Sequence, residues 1–530
     1  MGQATKCIFT MKTHPVLFPR YALVLILGLL CIQLTEYFLS GFSHFRILNF
    51  IENCLFFGMI LSISSFFKTS FFQTFTKKIL YTVFVFVLLV EGFYFLTFGA
   101  PFSSSAVFIA FDTSPTEVQE FFSYNYSHEL VVYFLIVMTI MIYAWSFFKN
   151  IPRMVGIKST FFAVSFLIIV LLTSMRQQNF PFIFGKGALD YIQTYMLLDS
   201  DSSNKKGNFS NLVYEPTDEE LLYVVIVGES TSRAHFGLYD YERATTPKLA
   251  SISNELIKYD EVISGHTYTI GSLIRALSFD TSPKKGNNII QLLNASNYTT
   301  FWLSNQTPVG LYETLVTKIA KTSNNLFFSN AIYNSASYPY DEILFSAFDQ
   351  VLKNKASKKV IFVHLMGTHG NYKLRYPPEF QQFYDKNANS KEAIINHYDN
   401  AVVYTDYMIY EIIQRVKKQN IKSFVLYFSD HGEEVFDTLD FAGHSPSQLI
   451  SKNMLEIPFL LWQSEEYQQE KSLQIDTNRK YVLNDLSHSI ANLCGVNALG
   501  VHPSKSIFSS QFQETPRIVL DTFNFDRRFY

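Results

Sequence analysis

The chain has 530 residues with 43 basic and 45 acidic side chains, a formal net charge of -2, and 48% hydrophobic residues. This even balance, with no basic stripe, argues against a nucleic-acid partner. The apolar residues are concentrated in the front third while the rest reads as soluble, so the two ends are built for different solvents.

Five segments are long and apolar enough to cross a bilayer, roughly 20–40, 47–67, 79–98, 129–148 and 159–175. A signal peptide explains one such run at most, because its apolar stretch is short and soluble sequence follows it. Lys6, Lys12 and Arg20 precede the first segment, Lys68, Lys77 and Lys78 join the second to the third, and Lys149, Arg153 and Lys158 join the fourth to the fifth. Short cytoplasmic loops carry the excess of positive residues, so these face inward. Only Arg46 lies between the first two segments, and the loop from Gly99 to His128 has no Lys or Arg. Those loops face outward, and an odd number of spans places everything after about Arg176 on the outer side, periplasmic or extracellular. Glu36 and Glu91 lie inside or near the edges of spans. An ionisable group at that depth is a functional-site hypothesis by default, whereas a place at the outer interface explains both blandly. Of the four cysteines, Cys7, Cys31, Cys54 and Cys494, only the last lies in the exported part, which therefore cannot form an internal disulfide.

Three regions follow: a five-span membrane domain over 1–176, an interfacial helix and linker over 177–215, and a periplasmic domain over 216–530. The stretch FPFIFGKGALDYIQTYMLL reads as a helix lying on the membrane, and DSDSSNKKGNFSN as a polar linker. Beyond Leu221, the runs LLYVVIVG, YTTFWLSN, KKVIFVHLMG, KSFVLYFSD and IPFLLWQS alternate with helical patterns. That alternation predicts an α/β fold with a mostly parallel sheet. The clearest helix is EAIINHYDNAVVYTDYMIYEIIQRVKK, with Ile395, Tyr398, Val402, Ile409, Ile412 and Val416 at helical spacing.

Ligands in such folds bind beyond the carboxyl ends of the strands. The first run ends at Glu229 and the fourth at Asp430-His431, an oxygen and nitrogen set that suits Zn2+, with Mn2+ tolerated. Taken singly, Glu229 could be a first-turn helix acid and Asp430-His431 an ordinary turn; two strands of one sheet ending this way by chance is the weaker explanation. His369, after a glycine-bearing turn, and His444, in FAGHS, are candidates for a second metal or for holding anionic oxygens. His364 reads as a satisfied core histidine and His488 as a buried helix residue. ISGHTYTIGS places Thr267 and Thr269 before the helical LIRALS, and the residues alone do not choose between them.

VVIVGESTSR, HTYT, GTHG followed by RYPPEF, YDNAVVYTD, and SDHGEE followed by GHS together resemble the membrane-bound phosphoethanolamine transferases of the alkaline phosphatase and sulfatase superfamily. The resemblance covers nearly the whole chain, and the ordered set is more specific than any one motif. It implies a sulfatase-like catalytic domain behind five spans in the bacterial inner membrane. Phosphatidylethanolamine would be the donor, and lipid A or a lipopolysaccharide core heptose the acceptor. It implies one or two zinc ions, with Glu229, Thr269, Asp430 and His431 as metal residues and Thr269 as the nucleophile that becomes a phosphothreonine. Ser272 falls on the serine of the same motif, and His266 on a loop or supporting position. His369 and His444 would contact the transferred phosphate or a second metal.

In AFDTSPTEVQEFF the resemblance implies that Thr113 and Glu117 contact the donor; the bland alternative is a helix cap at Thr113 or Ser114 before Pro115, with an acid in the first turn. Gly265 and Arg275 stand where lipid A modifying members carry a cysteine pair bracketing the nucleophile, and Asn305-Gln306-Thr307-Pro308-Val309-Gly310 stands where they carry a lysine. Both departures resemble the cysteine-poor branch acting on core sugars. The alternatives are a phosphoglycerol transferase of the lipoteichoic acid synthase type and an inactive membrane scaffold. No C/S-x-P-x-R stretch lies near ISGHTYTIGS, which argues against a sulfatase.

Overall fold

The computed structural model describes residues 18–40, 44–64, 70–98, 102–124, 128–148, 179–214, 219–279, 287–308, 314–329, 339–444 and 450–530. The predicted segment 159–175 and the basic loop before it lie outside the described residues. The chain divides into two compact units, Met1–Phe102 with Tyr126–Phe184, and Ser103–Asn125 with Gly185–Tyr530.

Four long helices, Phe18–Ser40, His44–Ser64, Ser70–Phe98 and His128–Phe148, coincide with the first four predicted segments. Among the described residues, Lys78–Phe98 and His128–Trp145 are long and apolar enough to cross a membrane. Gly92 allows close helix packing, because a Cβ there would stand 1.9 Å from the Tyr133 hydroxyl. Glu36 and Glu91 are buried. Arg46 Nε donates to Glu36 at 2.8 Å and Arg46 Nη1 to Asn49 at 2.8 Å. Asn53 donates to Glu91 at 2.7 Å, and the Phe180 N–H caps the other Glu91 oxygen at 2.8 Å. Outward, the same helices present Phe38, Phe86, Leu135 and Ile142.

The second unit is built on a seven-stranded sheet of β1 (Leu221–Gly228), β2 (Leu256–Lys258), β3 (Thr299–Ser304), β4 (Asn325–Phe328), β5 (Lys358–His364), β6 (Lys422–Ser429) and β7 (Phe459–Gln463). Their order is β2-β7-β6-β1-β5-β3-β4. Four pairings are parallel, and β7 runs antiparallel to both neighbours, so the sheet is mixed with a parallel majority. Central β1 is buried along its whole length. Its odd residues, Leu221, Tyr223, Val225 and Val227, join one apolar layer, and Leu222, Val224 and Ile226 join the other. A strand covered on both faces must be apolar at every position, which is why LLYVVIVG lacks alternation. Each such side chain contributes roughly 1.5–3 kcal/mol. The long helix Ser390–Lys417 covers the even face, opened by an Asn389–Glu392 capping box.

The outward loop predicted over Gly99–His128 contains two helices, Ser104–Asp112 and Pro115–Tyr124, and these belong to the second unit. Asp112 accepts from the Leu315 N–H at 3.0 Å and from Tyr191, while Phe108 and Phe111 pack on the β1 core layer. The polar stretch after helix Phe180–Ser202 is also bonded down: Lys205 Nζ donates to Ser323 O at 2.8 Å, and Gln291 donates to Asn204 O at 2.8 Å.

Candidate active site

Parallel β1 and β6 end side by side, Gly228 against Ser429. Gly228 cannot be larger, since a Cβ there would press on the Tyr427 ring at 2.7–3.1 Å. The next two residues are Glu229 and Ser230, the latter left-handed at φ 55°. A non-glycine residue in that region costs about 1–3 kcal/mol, a strain that gathers at functional sites. Here it aims the Ser230 N–H at Asp430 Oδ1, 3.0 Å, and the Ser230 hydroxyl at Glu229 Oε1, 2.8 Å.

Glu229, Asp430 and His431 converge, with one ligand atom of each within 4.8 Å of the others, all fully buried. His431 Nε2 lies 3.2 Å from Glu229 Oε1 and 3.6 Å from Asp430 Oδ2. His431 Nδ1 donates to Gly432 O at 2.8 Å, which turns Nε2 toward the carboxylates. Burial and the Glu229 charge push Asp430 up to about 8. Burial works against a charge on His431, yet Asp430 and Glu229 lift it to about 10. Burial likewise opposes ionisation of Glu229, but the hydrogen bond and charge of His431 hold it below the usual carboxylate range. Asp430 Oδ2 is buried without a hydrogen-bond partner. Two buried acids, an imidazole turned toward them and an orphaned carboxylate oxygen are a donor set that fits a divalent cation.

The two threonines separate by geometry. Thr269 Oγ1 donates to both Glu229 oxygens at 3.1 Å, while Thr267 is fully buried beside it in the loop. Thr269 is the first residue of helix Thr269–Ala276, whose cap, Tyr268, offers no side-chain acceptor to the first-turn N–H groups. Gly271 is required two residues further on, because a Cβ would meet the Tyr268 and His266 rings at 2.6–2.8 Å. Ser264 and Ser272 both donate to Asp430 O, at 2.6 and 2.5 Å, tying this loop to the end of β6.

His444 Nδ1 is 2.8 Å from Glu433 Oε2, and its ring centre is 4.4 Å from that of His431. Tyr372 holds the other Glu433 oxygen at 2.7 Å. His369 follows left-handed Gly367, φ 53°, where a Cβ would strike the Glu229 backbone. Burial brings the His369 imidazole down to about 4, and its Nδ1 has no hydrogen-bond partner. His364 is buried as expected but only half satisfied: Nδ1 is 3.3 Å from Ser304 Oγ and Nε2 has no partner. His488 is a buried helix residue, accepting from the His502 N–H at 3.1 Å. His266 is buried against Tyr268, 3.8 Å from Asp521.

Thr113 and Glu117 sit in the capping arrangement. Thr113 Oγ1 donates to Ile109 O at 2.6 Å, and Glu117 accepts from the Ser114 N–H at 3.0 Å while Ser114 Oγ accepts in return. Three residues at the site were not singled out from sequence. Ser230 gave no sign of its left-handed turn, and Glu433 lay hidden in an acidic pair. Gln306 was visible only as a departure from a lysine pattern; it donates to Glu229 Oε2 at 3.2 Å and to Leu365 O at 3.1 Å.

Residues 222–496, just over half of the chain, match the sulfatase family. Phosphoethanolamine transferase EptC of Escherichia coli strain K12 is 30% identical over 468 residues, 80% of each chain. The solved C-terminal periplasmic domain of Escherichia coli EptC in complex with zinc is 33% identical with a TM-score of 0.56, covering 60% of this chain and 96% of that one. Integral membrane protein lipooligosaccharide phosphoethanolamine transferase A from Neisseria meningitidis shares the fold, with a TM-score of 0.63 at 18% identity over 87% of this chain and 98% of that one.

Proposed function

The chain belongs to the phosphoethanolamine transferases of the sulfatase family, and on that premise we propose that it carries phosphoethanolamine from phosphatidylethanolamine to a lipopolysaccharide acceptor through a covalent adduct on Thr269. The observation that carries this reading is the Thr269 hydroxyl held on both Glu229 oxygens beside Asp430 and His431. In the first half-reaction a bond forms from Thr269 Oγ1 to phosphorus as the bond from phosphorus to the diacylglycerol oxygen breaks. The proton that Thr269 releases is matched by the one that diacylglycerol takes up. An acceptor hydroxyl then displaces Thr269, which regains its proton. The uncapped first turn of helix Thr269–Ala276 favours the anionic phosphoryl oxygens. His444, oriented by Glu433, and His369 are our candidates for holding those oxygens. Thr113 and Glu117 are our candidates for the ethanolamine end of the donor.

Glu229, Asp430, His431 and Thr269 are the residues that would hold zinc, one ion or two with His444 and His369, and manganese would suit the same donors. A zinc ion there would lower the pKa of the Thr269 hydroxyl and draw charge from the phosphoryl oxygens. The helices that bury charge and expose hydrocarbon support a place in the bacterial inner membrane, with residues 1–176 spanning it, 177–215 lying at its surface and 216–530 in the periplasm. The absence of cysteines at Gly265 and Arg275 leans the acceptor toward a core heptose rather than lipid A.

Intact-mass and peptide mass spectrometry of the full chain, expressed in a host lacking such enzymes, tests nucleophile and donor together. We expect a phosphoethanolamine adduct on Thr269, lost in Thr269→Ala together with more than 10³-fold of the transfer rate, and kept in Thr267→Ala. An adduct on Thr267, or glycerol phosphate in place of phosphoethanolamine, overturns the reading.

A further inference from the structure

Gly265 and Arg275 bracket the candidate nucleophile. A distant turn reaches both. The Leu520 N–H donates to Gly265 O at 2.9 Å. Arg275 Nε donates to Asp521 Oδ1 at 3.1 Å and Nη2 to Asp521 Oδ2, while Nη1 donates to Gly271 O at 3.0 Å. The Asp521 carboxylate therefore connects, through Arg275, to the backbone two residues beyond Thr269.

This turn is built for the task at a conformational cost. Leu520 and Asp521 are both left-handed, φ 51° and 56°, without glycine at either position. Such residues persist only where their surroundings over-determine them. Strands Ile518–Val519 and Phe523–Asn524 pair antiparallel on either side, and Val519 and Phe525 are buried with Ile263, just ahead of the loop.

We propose that the Leu520–Asp521 turn is a non-covalent clasp that fixes the Thr269 loop against Glu229, and that Asp521 is a positioning residue for the transfer. The proposal rests on the reading of Thr269 as the attacking residue. Asp521 is 56% exposed at its side chain, so its ion pair adds little to global stability. Its effect is on geometry, where a displacement of about 1 Å at a reacting atom can cost up to 10²-fold in rate.

The test uses the full-length protein in lipid, with phosphatidylethanolamine as donor, reading kcat, donor KM, adduct formation and Tm. Arg275→Ala should lower kcat about tenfold with donor KM within twofold and Tm nearly unchanged, Asp521→Ala should do the same with a small Tm loss because alanine disfavours the left-handed backbone, and the double variant should be no slower than either single one. Asp521→Asn tolerates the left-handed backbone and keeps an acceptor for Arg275, so it should recover most of the rate. Turnover within twofold of wild type in both alanine variants overturns the clasp, as does a rate loss accompanied by an equal fall in Tm across all three variants. If Thr269→Ala still acquires the adduct, it is the nucleophile assignment that fails instead.

Discussion

The two units bury opposite things. The helical unit folds Arg46, Glu36, Asn53 and Glu91 inward and turns Phe86, Leu135 and Ile142 outward. The α/β unit packs two hydrocarbon layers on its sheet and collects its buried charge at the ends of β1 and β6. What differs is how buried charge is used. In the helical unit a guanidinium is paired with the Glu36 carboxylate and the Asn53 amide donates to Glu91, so these buried charges are held by fixed polar partners of the fold itself. At the sheet edge two carboxylates and an imidazole instead converge on one another, and Asp430 Oδ2 has no hydrogen-bond partner, a donor set that fits a divalent cation.

The sharpest way to break that comparison is to remove one partner in the helical unit. Arg46→Ala removes the charged partner of buried Glu36, and losing one half of a buried pair costs about 3–5 kcal/mol. Thermal denaturation in detergent should record that loss, while the double change Arg46→Met with Glu36→Leu should restore most of it, since matched apolar residues replace a buried pair at little cost. An Arg46→Ala protein as stable as wild type would mean that water reaches the pair, and the contrast between the units would collapse.

A smaller effect belongs to the α/β unit, away from the proposed metal residues. His235 is buried between Asp399, 2.7 Å from Nδ1, and Asp437, 3.2 Å from Nε2, with Tyr241 and Arg243 also bonded to Asp399. Burial works against its charge, but the two carboxylates raise it from 6.5 to about 9. A raised folded value means the contribution is fully present below pH 6.5 and lost as pH climbs through about 9. The shift corresponds to at most about 3 kcal/mol. Urea unfolding between pH 6 and 10 should show stability falling across that window, and His235→Asn should flatten the slope.

Reading the sequence reached the parts of this design that are local. LLYVVIVG announces a strand buried on both faces because every residue is apolar, and the acids that end β1 and β6 stand next to their strands. Glu229, Asp430 and His431 could therefore be grouped before any fold was known. What escaped depends on contacts between distant residues or on backbone angles. Asp112 finds Leu315 and Arg275 finds Asp521 across long sequence separations, and nothing in either neighbourhood encodes the partner. The direction of β7 escaped for the same reason, since IPFLLWQS reads alike in either orientation. Ser230 is left-handed in a setting where sequence favours glycine or asparagine, so only its strain reveals it.

The smallest predicted effect decides between two readings that share the same atoms. Glu117 closes a reciprocal cap with Ser114 at the start of helix Pro115–Tyr124, and it is also our candidate for the donor's ammonium. Glutamine at this third position still reaches back to the Ser114 N–H, so Glu117→Gln preserves the cap and deletes only the charge. Alanine deletes both, at about 1 kcal/mol for the cap. If the charge meets the ammonium, donor KM should rise several-fold in both variants with kcat nearly constant, and only alanine should lower Tm. If Glu117 is a cap alone, glutamine should leave donor KM and Tm where they were, and the ethanolamine would have to find its partner elsewhere in the second unit.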